Sequence, residues 1–185
     1  NIILAAPNDI DELIKIGADK NKFYETYHLG DDNLLSEPNL VFEETSKSLL
    51  YIGTLSWEAN IDGLIWFFKE IWQKITDMHP DIKLHIVGKN PDEGLKEFAA
   101  KDERIILTGF VENVEPYFKK SRVFITPLRF GSGIKVKIIN SLYRGIPTVT
   151  TSIGTEGLKV KDGEQIFIKD DATSFANAVD ILLTN

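Results

Sequence analysis

Gly131, Ser132 and Gly133, followed by Lys135 and Lys137, are the residues of this sequence best suited to chemistry, and the chemistry is the holding of an anion. A turn of small residues that opens a helix leaves backbone N–H groups without intrahelical acceptors, next to the positive end of the helix. Phosphate suits such a place. Lys137 falls one turn into the expected helix, within reach of its mouth, where a charge-assisted hydrogen bond from its ammonium contributes roughly 1.5–3 kcal/mol. The surrounding charge agrees. From Pro116 to Thr155 there are seven basic residues, Lys119, Lys120, Arg122, Arg129, Lys135, Lys137 and Arg144, and no carboxylate. The chain carries 21 Lys and Arg against 28 Asp and Glu, so the 14 cations left outside the window face 28 anions, a balance of -14. A local positive field inside an acidic protein serves an anionic ligand. The bland reading of Lys137, a solvated surface lysine, has less support because no acid in the window could pair with it.

Holding these residues in place takes a strand before the turn and another after the helix. RVFITP reads as the first, with Pro127 ending it, and PTVTT as the second, with a helix from about Gly133 to Arg144 between them. On that helix Ile134, Ile138, Ile139 and Leu142 make an apolar stripe, while Gly133, Lys137, Asn140 and Arg144 share another face. The same alternation runs from Leu49 onward. SLLYIG, DIKLHIVG and RIILTG are apolar runs of strand length, and QIFIK is a further one. Between them Ile61, Leu64, Ile65, Phe68, Ile71, Trp72 and Ile75 recur at helical spacing, with Asn60 or Asp62 able to cap that helix. Shorter helices are expected over 92–100 and 114–120, and a closing one over 172–183. Strands alternating with helices imply an α/β fold, a doubly wound, Rossmann-like parallel sheet. Ligands then bind outside the carboxyl ends of the strands, in the loops after Gly53, Gly88, Gly109, Thr126 and Thr151.

Composition bounds the rest. At 185 residues, 43% hydrophobic and 26% charged, the chain is one ordinary globular domain, or one with part of a neighbour. It has no cysteine, hence no disulfide framework and no thiolate metal site. Its three histidines, His28, His79 and His85, are scattered, no carboxylate cluster lines the glycine turn, and we expect no metal. A net charge of -7 argues against nucleic-acid binding. Without cysteine, cytoplasmic exposure is the plain expectation, and with no run of 18 apolar residues and no leader pattern we expect no membrane span. NIILAA reads as a strand and DIDELIKIG as a turn or two of helix, whereas 21–48 lacks sustained periodicity and reads as a linker. The start at Asn1, without a Met, leads us to expect a chain cut from something longer: 1–48 as the end of a preceding domain with its linker, and 49–185 as the binding domain.

From Leu49 to the end the sequence resembles the carboxyl-terminal half of retaining glycosyltransferases of the GT-B architecture, family four. The resemblance rests on the order and spacing of YIGTLSWEANIDGLIWFFKEI, LHIVG and ILTGFVENVEPYFKKSRVFITPLRFGSGIKVKIINSLYRGIPTVTTSIGTEGL. It implies a domain that binds a nucleotide-activated sugar, UDP-linked by expectation, with a separate amino-terminal domain for the acceptor and transfer without a metal or other cofactor. By the same likeness, Lys137 and Lys135 stabilise the diphosphate leaving group, with Arg129 a further candidate. Gly53 and Thr54 follow the first strand, Gly109, Phe110 and Val111 match the turn near the base, and Glu156 matches a position near nucleotide or sugar. We expect Phe110 to be buried. The family's two glutamates, eight residues apart, fall on Ser132 and Asn140, neither of which is Glu. The basic pair of many relatives is missing from TLSWEAN. The resemblance thus implies the donor half of a glycosyltransferase that could sit peripherally on the inner face of a membrane, the isolated fragment being inactive. The alternative is a degenerate, non-catalytic module for nucleotide sugars or a protein partner. A flavodoxin-like receiver domain ranks lowest, for want of an acidic cluster at the strand ends.

Overall fold

The computed structural model describes residues 2–4, 7–25 and 29–184; His28, left without a role by the sequence, lies outside them. In chain order the elements are β1 (Ile2–Leu4), α1 (Pro7–Lys15), β2 (Phe23–Glu25), β3 (Ser46–Ile52), α2 (Glu58–Trp66), α3 (Trp72–Met78), β4 (Lys83–Val87), α4 (Glu93–Lys101), β5 (Ile105–Gly109), α5 (Glu115–Lys120), β6 (Ser121–Thr126), α6 (Val136–Arg144), β7 (Thr148–Thr150), β8 (Phe167–Ile168) and α7 (Ala172–Thr184). β1 and β2 pair in parallel as a small sheet of their own. The other six strands form one sheet in the order β5-β4-β3-β6-β7-β8, every pairing parallel, which is the α/β doubly wound, Rossmann-like arrangement expected from the alternation.

Apolar strands buried on both faces need helices on both faces. On one, Leu64, Phe67, Ile71 and Ile75 from the long helical run and Phe175 and Val179 from α7 pack against Leu49, Leu84 and Val123. The other face is smaller and is built from Leu50, Val87, Phe118, Phe124 and Ile146, closed by Leu34. Leu34 belongs to the stretch read as a linker, which instead carries short 3-10 turns at Lys20–Lys22, Asp32–Leu35 and Phe42–Glu44. It is 6% exposed, so this part of the linker is core.

Two helices depart from their expected form. The stripe from Ile61 to Ile75 predicts one helix, and the structure inserts a π-helical stretch at Phe67–Ile71 between α2 and α3. This extra residue per turn buries Phe67 beside Phe68. α6 begins at Val136 rather than near Gly133, because Gly133 has φ 77 and Lys135 sits at φ -91, ψ 92, neither of them helical. The glycine turn is therefore a loop in front of the helix.

Candidate anion-binding site

All five functional loops leave the same edge of the sheet, since its strands are parallel. There, at the carboxyl ends of β3 and β6, lies a cleft of about 360 Å³ whose wall includes Gly53, Thr54, Ser132, Lys137 and Asn140. A second lobe of about 290 Å³ adjoins it through Gly53, Thr54 and Val114, and adds Gly88, Lys89, Phe110 and Val111. Phe110 is 72% exposed, not buried as expected. Gly109 ends β5 in a left-handed turn, φ 74, that swings the ring out of the sheet.

The glycine loop is held from behind. Lys135 is buried, and its Nζ donates to the carbonyls of Gly133 (2.6 Å) and Gly131 (3.3 Å) and pairs with Glu156 Oε2 (3.1 Å). In a trans peptide the carbonyl and the following N–H point in opposite directions. Drawing the two carbonyls onto Lys135 therefore turns the N–H groups of Ser132 and Ile134 away from it, and both residues line the cleft. Among the described residues, no acceptor meets the backbone N–H of Gly131, Ser132, Gly133 or Ile134. Lys135 thus braces the loop, with Glu156, and its three donors are taken up within the protein.

Lys137 also lines the cleft. Its Nζ donates to Asn60 Oδ1 (2.7 Å) and Tyr51 Oη (3.0 Å) and stands 4.6 Å from the centroid of the Tyr51 ring. Asn60 in turn donates from Nδ2 to the carbonyl of Thr54 (2.8 Å), fixing the loop after β3. It caps nothing: α2 starts after Trp57 with no side-chain cap. Burial pushes the Tyr51 phenol far above its usual range, so it stays neutral. Burial, with Lys135 nearby as a lesser cause, lowers Lys137 to about 7. Among the described residues no carboxylate offsets that cost, and an ammonium has three donors, of which two are used by them. Gly53 lies so close that a Cβ there would stand 2.9 Å from Nζ. A larger residue would push the lysine aside.

Other cations of the basic window are spent elsewhere. Arg129 grips Asp62 on α2, with Nε to Oδ2 at 2.8 Å and a second bond from Nη2 to Oδ1. Arg144, placed by its spacing on the face of Lys137, is buried and pairs through Nε and Nη2 with both oxygens of Glu115 at 2.7–2.9 Å. Lys119 meets Glu37 and Glu115, and Arg122 donates to the carbonyls of Phe42, Thr45 and Leu183. Glu115 and Glu156 are the residues just outside the carboxylate-free window, so a count within the window misses them. His85, expected to be structural, sits in β4 with its ring edge-on to Tyr117, and burial lowers its pKa.

The sequence profile described as "Glycosyl transferases group 1" matches residues 46–185. The chain belongs to this family. Curated relatives of the glycosyltransferase domain include an uncharacterized 44.6 kDa protein in the cps region of Klebsiella pneumoniae, 30% identical over 75% of this chain and 37% of the relative. An uncharacterized glycosyltransferase of Haemophilus influenzae is 23% identical over 90% of this chain and 48% of the relative. The chain thus spans less than half the length of either. Among solved structures, Anabaena HepE in complex with UDP and glucose superimposes with a TM-score of 0.73 at 13% identity, covering 99% of this chain and 53% of that one. At that identity the likeness concerns the fold, a GT-B Rossmann-like domain.

Tyr51 and Asn60 are the site residues that sequence reasoning missed. The available signal was a tyrosine inside an otherwise aliphatic strand, whose hydroxyl must find a partner once buried. For Asn60 there was none, because an Asn near a helix start is what a cap also looks like.

Proposed function

We propose that this chain is the carboxyl-terminal, donor-nucleotide half of a retaining GT-B glycosyltransferase of family four, and that the cleft takes a UDP-linked hexose. The observation that carries the proposal is Lys137: a half-buried ammonium held by neutral partners, with no carboxylate among the described residues to pair with it, beside a loop of unpaired N–H groups. A diphosphate supplies the missing counter-charge for both. On transfer, the bond from the anomeric carbon to the diphosphate oxygen breaks, the acceptor oxygen bonds to that carbon on the same face, and the acceptor's hydroxyl proton passes to the departing diphosphate oxygen. The charge left on the diphosphate is stabilised by Lys137 and the loop N–H groups, an electrostatic role of the oxyanion type. The exposed Phe110 and the turn through Val111 serve the base in the adjoining lobe. On this reading the binding domain begins with β3 at Ser46, the segment from residue 29 onward is packed onto it, and the residues before that are the end of an acceptor domain and its linker. The whole enzyme works in the cytoplasm, peripheral to the membrane, without a cofactor.

Calorimetric titration with UDP, GDP and UDP-sugars tests the proposal, on the protein and on Lys137→Ala. UDP is expected to bind, and the variant to lose about 10- to 100-fold in affinity, the equivalent of one charge-assisted hydrogen bond. No heat with any nucleotide overturns the reading, and unchanged affinity in the variant removes Lys137 from the site. A second reading, a non-catalytic nucleotide-sugar module, draws on Ser132 and Asn140 in place of the glutamates. It is favoured if UDP-sugar binds yet the longer protein neither transfers nor hydrolyses it.

A further inference from the structure

We propose that residues 30–35, in the stretch that reads as a linker, position the nucleotide site by fixing the amide of Asn140, so that Asn140 meets a bound nucleotide with its NH2 end. The inference rests on the reading of the cleft as a nucleotide site. The backbone N–H of Asp31 donates to Asn140 Oδ1 at 2.8 Å. An N–H can be met only by the oxygen of the amide, so this bond sets which way round Asn140 stands. Nδ2 then remains as the end open to the cleft that Asn140 lines, and among the described residues it has no protein acceptor. It offers a donor to an oxygen of the ligand, where a carboxylate at this position would accept from a hydroxyl.

The segment is seated firmly enough to do this. The chain at Gly30 passes so near α6 that a Cβ would stand 2.5 Å from Asn140 Oδ1 and 2.9 Å from Ile139 Cγ2. The Asp31 carboxylate accepts from the N–H (3.1 Å) and Nδ2 (2.8 Å) of Asn33, closing the 3-10 turn. That turn delivers Leu34 into the core between Phe118 and Ile146. Beyond it Glu37 pairs with Lys119 on α5 at 3.3 Å. Asp31 is therefore a positioning residue that acts through Asn140, and displacement of this segment is felt at the nucleotide.

The test compares Asp31→Pro with Asp31→Ala. Both lose the carboxylate cap, but only proline lacks the N–H, and φ -77 at Asp31 suits a proline ring. UDP affinity by calorimetry is expected to be about three- to tenfold weaker for Asp31→Pro than for Asp31→Ala. In an Asn140→Leu background the difference disappears, a coupling that mere loosening of the fold would not produce. Asn140→Asp keeps the acceptor for Asp31 and removes the inward donor, so it weakens UDP by about tenfold with its melting temperature unchanged. Should circular dichroism show Asp31→Pro unfolded, Gly30→Ala, whose Cβ must displace either the segment or the Asn140 amide and so break the bond between them, replaces it and is expected to give the same loss. Equal affinities of the Pro and Ala variants, with UDP still bound by the unaltered protein, overturn this inference alone. No UDP binding by the unaltered protein overturns the nucleotide reading and this inference with it.

Discussion

The two ends of α6 carry basic residues of similar chemistry in opposite circumstances. At its carboxyl end Arg144 is buried and gripped by Glu115, so its charge is matched inside the fold. At its amino end Lys137 is packed against Tyr51 and Asn60, both neutral, and its charge is matched by nothing among the described residues. Desolvation burdens both. The fold answers it at Arg144 and leaves it standing at Lys137, where an incoming anion gains by removing it. A cation paired within the protein holds helices together, and one left unpaired at a strand edge is available to a ligand.

Breaking the matched end should have the largest effect on the protein. Removing one member of a buried ion pair strands the other, at a cost of about 3–5 kcal/mol. Glu115→Gln and Arg144→Met are each expected to lose that much in urea denaturation, because α5 and α6 are joined through this pair. The double variant should recover part of the loss, since no charge is then left alone. Single variants within about 1 kcal/mol of the unaltered protein would mean the pair is hydrated and the contrast between the helix ends is unfounded.

The open end responds to pH. With Lys137 lowered from 10.5 to about 7, the unfolded chain holds this proton up to pH 10.5 while the folded protein releases it from about pH 7. The unfolded state binds more protons in that window, so the residue costs stability below it and the cost fades as pH rises from 7 to 10.5. Lys137→Met should therefore melt higher than the unaltered protein at pH 7, and the gap should close toward pH 10. Binding runs the other way. A diphosphate favours the ammonium and raises its pKa, so UDP affinity should fall by up to about tenfold per pH unit above 7. Titrations from pH 7 to 9 read this directly, with Lys137→Met expected to be flat. Parallel profiles for the two proteins would place the titrating group elsewhere.

Much of the fold was legible in the sequence because its signals are local. SLLYIG, DIKLHIVG, RIILTG and RVFITP are strands within a residue or two of their expected limits, and parallel pairing followed from the helices between them. The glycine turn at Gly131–Gly133 was readable as a turn, although the helix behind it begins only at Val136, and Lys137 stood out because the window around it holds no acid. What was not legible depends on partners far apart in sequence. Glu115 reaches Arg144 across 29 residues, and Asp31 reaches Asn140 across 109. Leu34 is core only through residues far from it in sequence, among them Phe118, Phe124 and Ile146, a fact no periodicity in 29–44 records. The π-helical stretch at Phe67–Ile71 keeps an ordinary apolar spacing and so leaves no trace either.

Arg129 offers the smallest and sharpest probe of the contrast. The sequence groups it with the anion-binding cations, while the structure holds it on Asp62 at the flank of α2, with its side chain 49% exposed. An exposed pair of this kind contributes less than about 1 kcal/mol. Arg129→Gln is therefore expected to change denaturation free energy by less than that and UDP affinity by less than about twofold. If affinity instead falls more than about tenfold, Arg129 must leave Asp62 when the nucleotide arrives, because a guanidinium held there neutralises aspartate and not phosphate. Asp62→Asn separates the cases further. Releasing an arginine that belongs to the site should tighten UDP binding, whereas releasing one that only fastens the loop to α2 should leave it unchanged.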